Sequence, residues 1–460
     1  MEWEKLLSTK TIIKREAENK SWDRYPINEF EKDYKNIISS FAFRRLQDKT
    51  QVFSLDKSDF IRTRLTHSIE VSSIGKQLGI MLTKDTDEKY RIEHFKEHPE
   101  QAEAVQSILS CAGLLHDLGN PPFGHFGEIV IGDWFSESFK DKKFVFNEMK
   151  ISDLMDAHMR NDLCNFEGNA QSLRILSKIN NTPDGNDINL SYGIINTLVK
   201  YPVNSNEMDA DNEDIKKHKT GYYKSECKVF DAICEETGTK IQDGVYSRHP
   251  LTFLLEAADD IAYATSDLED ALKKDMFTVE QFIEYFKDEM KKIDNNAADM
   301  KKIHKSEELI SELEKMIKVE HRSRENDILA FQKWLNYVKS WLMYVVAYSF
   351  AKNYNEIMCG TYKCDLFQTG FHTYTIKILK DAMKKFVFNS DEILKLELAA
   401  KKIIDSLLDD FIYAVIYWDC NKDKEFEGMK KSDIKLVNII SENYKTDYRK
   451  PTGFLFFMAN

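Results

Sequence analysis

Residues 104–128 read AVQSILSCAGLLHDLGNPPFGHFGE, an apolar run that ends on a histidine and an aspartate just before two prolines. The run is apolar nearly all round, so it belongs to a buried helix rather than to a surface one. An imidazole and a carboxylate therefore arrive deep in the protein, where even one unpartnered polar group costs about 2–7 kcal/mol. Any fold this chain adopts has to give them something to bind. Adjacent helical residues diverge by about 100°, so His116 and Asp117 can meet one partner only across the helix's end. Gly119, Pro121 and Pro122 supply that end, and Gly124 permits a tight return that swings His125 and Glu128 back toward the pair.

The rest of the chain is built for helices. Its 460 residues contain only 8 Pro and 17 Gly, β-branched alternation is scarce, and Leu, Lys, Glu, Ala and Met are plentiful, so the expected fold class is all-α. Three helical blocks carry histidines and acids: about 67–84, 101–117 and 250–274. Between the second and third, NNTPDGND and NSNEMDADNED mark exposed excursions. Residues 283–325, rich in Lys and Glu, are expected to form long solvated helices.

In the first block, RLTHSIEVSSIGKQLGIML, an apolar face follows Thr66 as a candidate cap and places His67 at the helix start. In the third, HPLTFLLEAADDIAYATSDLEDAL, Asp259, Tyr263 and Asp267 recur at i, i+4 and i+8 along one line of an otherwise apolar helix, while Asp260 is free to point to water. With His116 and Asp117, the sum is two imidazoles and two carboxylates. That mixed N/O set suits one Mn, Fe, Ni, Mg or Zn ion in an open coordination sphere, and the four protein ligands are His67, His116, Asp117 and Asp259. Places remain for water and a substrate oxygen, the arrangement of a hydrolytic centre.

The formal charge of −12 argues against a broad nucleic-acid-coating surface but leaves room for a local basic pocket. Seven cysteines without a CxxC pair indicate reduced thiols and a cytoplasmic protein. MEWEKLLSTKTIIKREAENK has no uninterrupted apolar core, and the longest apolar stretch, Trp341 to Ala351, is far short of the roughly 20 residues of a membrane span.

The order His67, His116–Asp117, Asp259 resembles the HD-domain phosphohydrolases. The longer strings FAFRRLQDKTQVF, RTRLTHSIEV, LLHDLGNPPFGHFGE, NFEGNAQSLRIL, LVKYP and RHPLTFLLEAADDIAYATSDLEDA resemble the deoxyguanosinetriphosphate triphosphohydrolases. The likeness is strong from about residue 20 to 275. At the C-terminus the chain reads KPTGFLFFMAN, where that family usually carries a string like DYIAGMTD. The resemblance implies one divalent metal ion per subunit and hydrolysis of a dNTP, dGTP first, to deoxynucleoside plus inorganic triphosphate. Metal-activated water would attack the α-phosphorus. It also implies a homo-oligomer, with a hexamer favoured. By the same resemblance His125 moves the proton and Glu128 orients it. Arg64, Lys200 and Arg45 surround the triphosphate, Tyr263 and Asp267 read the sugar, and Gln51 and Asn169 contact the nucleoside. The chain then divides into an N-terminal segment, 1–66, contributing to the nucleotide pocket, a phosphohydrolase core, 67–275, and a helical C-terminal region, 276–460, serving oligomerisation or pocket support.

Two other readings share these residues. One is an HD phosphohydrolase acting on a nucleoside monophosphate or cyclic dinucleotide with the same ligands. The other is a nucleic-acid-binding regulatory protein, in which the Arg/Lys and aromatic mix at 43–64 would stack on and neutralise a single strand.

Overall fold

The computed structural model describes residues 1–15, 28–49, 51–53, 58–84, 89–141, 144–146, 149–179, 181–182, 185–186, 188–293, 300–317, 323–368, 373–420, 426 and 428–440. The KPTGFLFFMAN tail, part of the NNTPDGND excursion and parts of 283–325 lie outside them. Among the described residues there are nineteen α-helices, and the only sheets are three two-stranded antiparallel hairpins: Val145–Phe146 with Met149–Lys150, Asn181–Thr182 with Gly185–Asn186, and Lys240–Gln242 with Val245–Tyr246. The all-α expectation holds. Among the described residues no helix is long and apolar enough to cross a membrane.

The chain forms two compact units, each assembled from separated stretches: 1–49, 115–249 and 397–460 in one, 50–114 and 250–396 in the other. We describe each by itself.

The second unit is organised around the helix Pro250–Lys273, which packs against Arg64–Lys84, Arg324–Lys352 and Thr373–Met383. Its apolar residues do what the sequence demands: Leu254, Leu255, Ala258, Ile261, Ala262 and Leu268 are wholly buried. Arg64–Lys84 begins one residue after Thr63. The cap is Thr63 rather than Thr66: Thr66 N–H donates to Thr63 Oγ1 at 3.3 Å, and Thr66 Oγ1 accepts from Thr63 N–H at 2.9 Å. Thr66 is the reciprocal partner three residues on.

The Lys- and Glu-rich region is not a purely solvated pair of helices. Val279–Lys291 buries Phe282, Phe286 and Met290, and Met300–Ile317 buries Leu309, Ile310 and Leu313. Phe282 of the first helix meets Phe331 and Trp334 of Arg324–Lys352, and Trp334 Nε1–H donates to the Leu309 carbonyl of the second at 2.7 Å. Charge density along the sequence hid an apolar stripe at helical spacing.

In the first unit the helix Gly124–Lys140 packs on Ala157–Cys164. Trp134, Phe135, Phe144, Ile151, Met155 and Ile416 form a buried cluster there, and Trp134 Nε1–H donates to Asp409 at 2.9 Å. Gly119 is required at this level of packing. A Cβ on it would lie 2.2 Å from the Gly168 carbonyl oxygen, so the turn after the His–Asp pair rests directly on the start of the helix Gly168–Arg174.

Candidate active site

The helix Pro99–Leu115 ends at the residue directly before the His–Asp pair. His116 and Asp117 occupy the following turn, closed by Leu118 N–H to Leu115 O at 3.0 Å and Asn120 N–H to Asp117 O at 3.2 Å. Both side chains are buried, and His116 Nε2 stands 3.6 Å from Asp117 Oδ1. Asn120 Nδ2–H donates to Asp117 Oδ1 at 2.6 Å and fixes the carboxylate's rotation. Sequence reasoning passed over Asn120. Its signal was an amide three residues after a buried acid.

The return of the chain is tighter than a single glycine provides. Phe123, at φ 66°, and Gly124, at φ 57°, are both left-handed, and a non-glycine residue held there costs on the order of 1–3 kcal/mol. The turn delivers His125 to the first turn of Gly124–Lys140, where its ring is largely exposed and Glu128 one turn on is buried. His125 Nδ1–H donates to Glu128 Oε2 at 2.7 Å. An ionised carboxylate only accepts, so the proton sits on Nδ1 and Nε2 is left to exchange one. Glu128 Oε1 accepts the Gly168 N–H at 2.9 Å. Burial pushes the Glu128 carboxyl up; the His125 bond, the charges of His125 and Lys219 and the Gly168 amide outweigh it and hold Glu128 below the ordinary carboxylate range.

Next to Gly168, Asn169 Nδ2–H donates to Glu167 Oε1 at 2.7 Å, and Lys219 Nζ lies 3.2 Å from Glu167 Oε2. His125, Glu128, Phe166, Glu167 and Lys219 line one cavity of about 380 Å³. Lys200 is half-buried, its carbonyl accepting from Arg248 Nε–H at 2.8 Å, whereas Arg45 is exposed on the single turn Arg45–Asp48.

In the second unit, His67 is wholly buried and its Nε2 lies 3.2 Å from Asp259 Oδ1. Two donors each about 2.1 Å from one ion stand roughly 3.0 Å apart in octahedral and 3.4 Å in tetrahedral coordination, so this hydrogen-bonded spacing also suits two ligands on one cation. Asp260 does not face water alone; it pairs with Lys380 Nζ at 2.7 Å, and burial raises its carboxyl to about 6 against the pull of that lysine.

Tyr263 stacks on Phe388 with ring centroids 6.2 Å apart and planes inclined by 9°. Asp267 is buried, with no partner for Oδ2 among the described residues, and burial pushes its carboxyl well above the usual range. Gln51 Oε1 is likewise buried without a partner among the described residues, and Arg64 is buried in the first turn of its helix. Two buried acceptors left open in one unit are an invitation to a donor-bearing ligand. Arg62, which the sequence did not single out, is clamped by Glu70, Glu269 and Asp270 beside them.

Comparison with known proteins now decides the family. The HD domain model matches residues 64–174. A deoxyguanosinetriphosphate triphosphohydrolase-like protein of Listeria monocytogenes is 38% identical over 453 residues, covering 98% of this chain and 91% of its own. Deoxyguanosinetriphosphate triphosphohydrolases of Serratia proteamaculans and Salmonella typhimurium are 31% and 32% identical over 407 residues each, covering 83% of this chain and 76% and 75% of theirs. The chain belongs to the deoxyguanosinetriphosphate triphosphohydrolase family. It is therefore a hydrolase of the HD superfamily, and the HD domain implies a divalent metal ion. The donors fit that implication: imidazoles and carboxylates without a thiolate, buried but for the half-buried Asp259, with a His–Asp spacing of 3.2 Å in one unit and an orienting amide on Asp117 in the other.

Proposed function

We propose that this triphosphohydrolase cleaves a deoxynucleoside triphosphate, dGTP first, into deoxynucleoside and inorganic triphosphate. His67, His116, Asp117 and Asp259 together would hold one divalent ion. Such an ion acidifies a coordinated water toward neutrality and neutralises charge at the phosphate it contacts. The single observation that carries the reading is the His125–Glu128 pair. A solvent-facing imidazole whose Nδ1–H is held by a buried carboxylate leaves Nε2 free to take up a proton from water and pass it to the departing nucleoside 5′-oxygen.

The remaining candidates take roles by their chemistry. Arg64, Lys200 and Arg45 are cations for the polyanionic triphosphate, arginine matching phosphate oxygens two at a time. Asp267 and Gln51, with open acceptors, suit sugar hydroxyl and base donors. Tyr263, packed face to face on Phe388, offers a fixed ring against C2′, and Asn169 lies beside the Gly168 amide that holds Glu128. Assembly of several subunits follows from the resemblance.

Chromatographic product identification with each dNTP and GTP, with Mg and Mn in turn, tests the reading. Intact triphosphate and deoxyguanosine from dGTP are expected. Release of pyrophosphate or monophosphate would sink it and favour an HD phosphohydrolase of another nucleotide class.

A further inference from the structure

We infer that Lys219 is a positioning residue of the reaction, acting through Glu167 and the Gly168 amide on the His125–Glu128 pair. The inference rests on the reading of that pair as the proton-transfer device.

Gly168 is a crowded joint. A Cβ there would sit 2.2 Å from Asn120 Oδ1, whose amide nitrogen holds Asp117, and 2.7 Å from Glu128 Oε1, on the carboxylate whose Oε2 holds His125. The backbone at this one residue therefore touches the group that orients a candidate metal ligand and the group that orients the proton carrier. What fixes the joint lies on both sides of it. Tyr223 Oη accepts the Glu167 N–H at 3.0 Å and donates to the Glu167 carbonyl at 3.0 Å, which pins the preceding peptide. The Glu167 side chain is buried to within a tenth of its surface and accepts from Asn169 on the far side, closing a tight loop around the Gly168 amide.

That closed loop carries a negative charge in a buried place, and the cation that meets it is Lys219, from the segment between Lys217 and Thr220 that lines the same cavity as His125. Without it, Glu167 would either take up a proton or swing toward water, and the Gly168 N–H would turn with it. Lys219 also faces Glu128 itself across the cavity. The charged groups around Glu128 are His125 and Asp133 on its own helix, Glu167 beside Gly168, and Lys219. Of these, the cation opposed to the carboxylate from another element is Lys219. The Lys219 ammonium is committed to Glu167 at 3.2 Å.

The test uses the full chain with Mn or Mg and dGTP, following kcat and KM across pH 5 to 9 in wild type, Lys219→Ala, Lys219→Arg, Glu167→Gln and the reference His125→Ala. A positioning role predicts a kcat loss of about 10- to 100-fold in Lys219→Ala, the scale of an ångström-level misplacement, with KM changed less than about threefold. Lys219→Arg should restore most of it. The acid limb of the kcat profile should move to higher pH in Lys219→Ala, because Glu128 loses an opposing cation. Should Lys219→Ala fail to fold, the Lys219→Met/Glu167→Gln double variant removes the ion pair without burying a lone carboxylate, and the same kcat loss at little-changed KM is expected. A KM rise at constant kcat, an unmoved acid limb, or failure of arginine to rescue overturns the inference. Normal turnover by His125→Ala overturns the underlying reading instead, so the two failures are distinct.

Discussion

The Gly168 amide nitrogen lies 2.9 Å from Glu128 Oε1, although forty residues separate them in the chain, and this bond joins the NFEGN turn to the histidine-bearing helix. A side chain at Gly168 would displace both neighbours, since a methyl group would meet Asn120 and Glu128 together. Gly168→Ala is accordingly expected to lower kcat by about 10²-fold or more through displacement of the reacting groups, while the helical fold persists. Circular dichroism and steady-state turnover on the same preparation check this; an alanine variant of normal rate would mean that the joint yields without consequence.

Coordination and proton transfer separate in a second pair of variants. Asp117→Ala removes an anionic donor and leaves Asn120 without its acceptor, so metal content and turnover should fall together. His125→Ala should keep its metal and lose about 10²- to 10⁴-fold in turnover, the usual worth of general acid–base catalysis. Elemental analysis beside kinetics reads both. Loss of metal from His125→Ala would make that histidine a ligand.

Away from the chemistry, the Arg62 clamp makes a pH-resolved prediction about stability. Burial pushes the Glu269 carboxyl up, but the Lys273 bond, the Arg62 charge and the Gln332 bond outweigh it and bring it down to about 2. A depressed carboxyl contributes stability above its ordinary pKa, near 4.5, and loses it as pH falls toward 2. Glu269→Gln should thus destabilise by about 1–3 kcal/mol at pH 7, the range of charge-assisted hydrogen bonds, and the gap to wild type should close between pH 4.5 and 2. Denaturant melts at stepped pH measure it. A gap independent of pH would assign the loss to packing.

The sequence was most legible where composition and chemistry coincide. A polar pair closing an apolar run called for a turn, and the structure has His116 and Asp117 in that turn; periodicity placed Asp259, Tyr263 and Asp267 on one helix. Less legible was whatever depends on residues far apart in the chain. Asp260 finds Lys380 and Trp334 finds the Leu309 carbonyl, and neither leaves a local trace. Glu167 and Lys219 escaped for the same reason, since their pairing exists only once the NFEGN helix start and the 217–220 segment are folded together. Asn120, three residues after Asp117, had a local signal that was passed over. The left-handed Phe123 was also hidden, because the adjacent glycine accounts for a tight turn without it.

Sugar selectivity puts the role of Tyr263 at risk. Its ring lies one helical turn from Asp259, about 6 Å along the axis, and is held parallel to Phe388, so it cannot easily swing aside. A ring so fixed would exclude a 2′-hydroxyl by shape, while Asp267, with its open Oδ2, would accept from the 3′-hydroxyl and keep the sugar in register. Wild type should cleave dGTP far better than GTP. Tyr263→Ala should narrow that ratio by opening space at C2′ and should also slow dGTP, since Phe388 loses its stacking partner. Tyr263→Phe should keep the ratio, because the ring and not its hydroxyl does the excluding. The measurement is kcat/KM for both nucleotides in all three proteins, read as a ratio of specificities. If Tyr263→Ala lowers both values equally, Tyr263 serves packing against Phe388 alone, and discrimination at C2′ must come from the buried amide of Gln51.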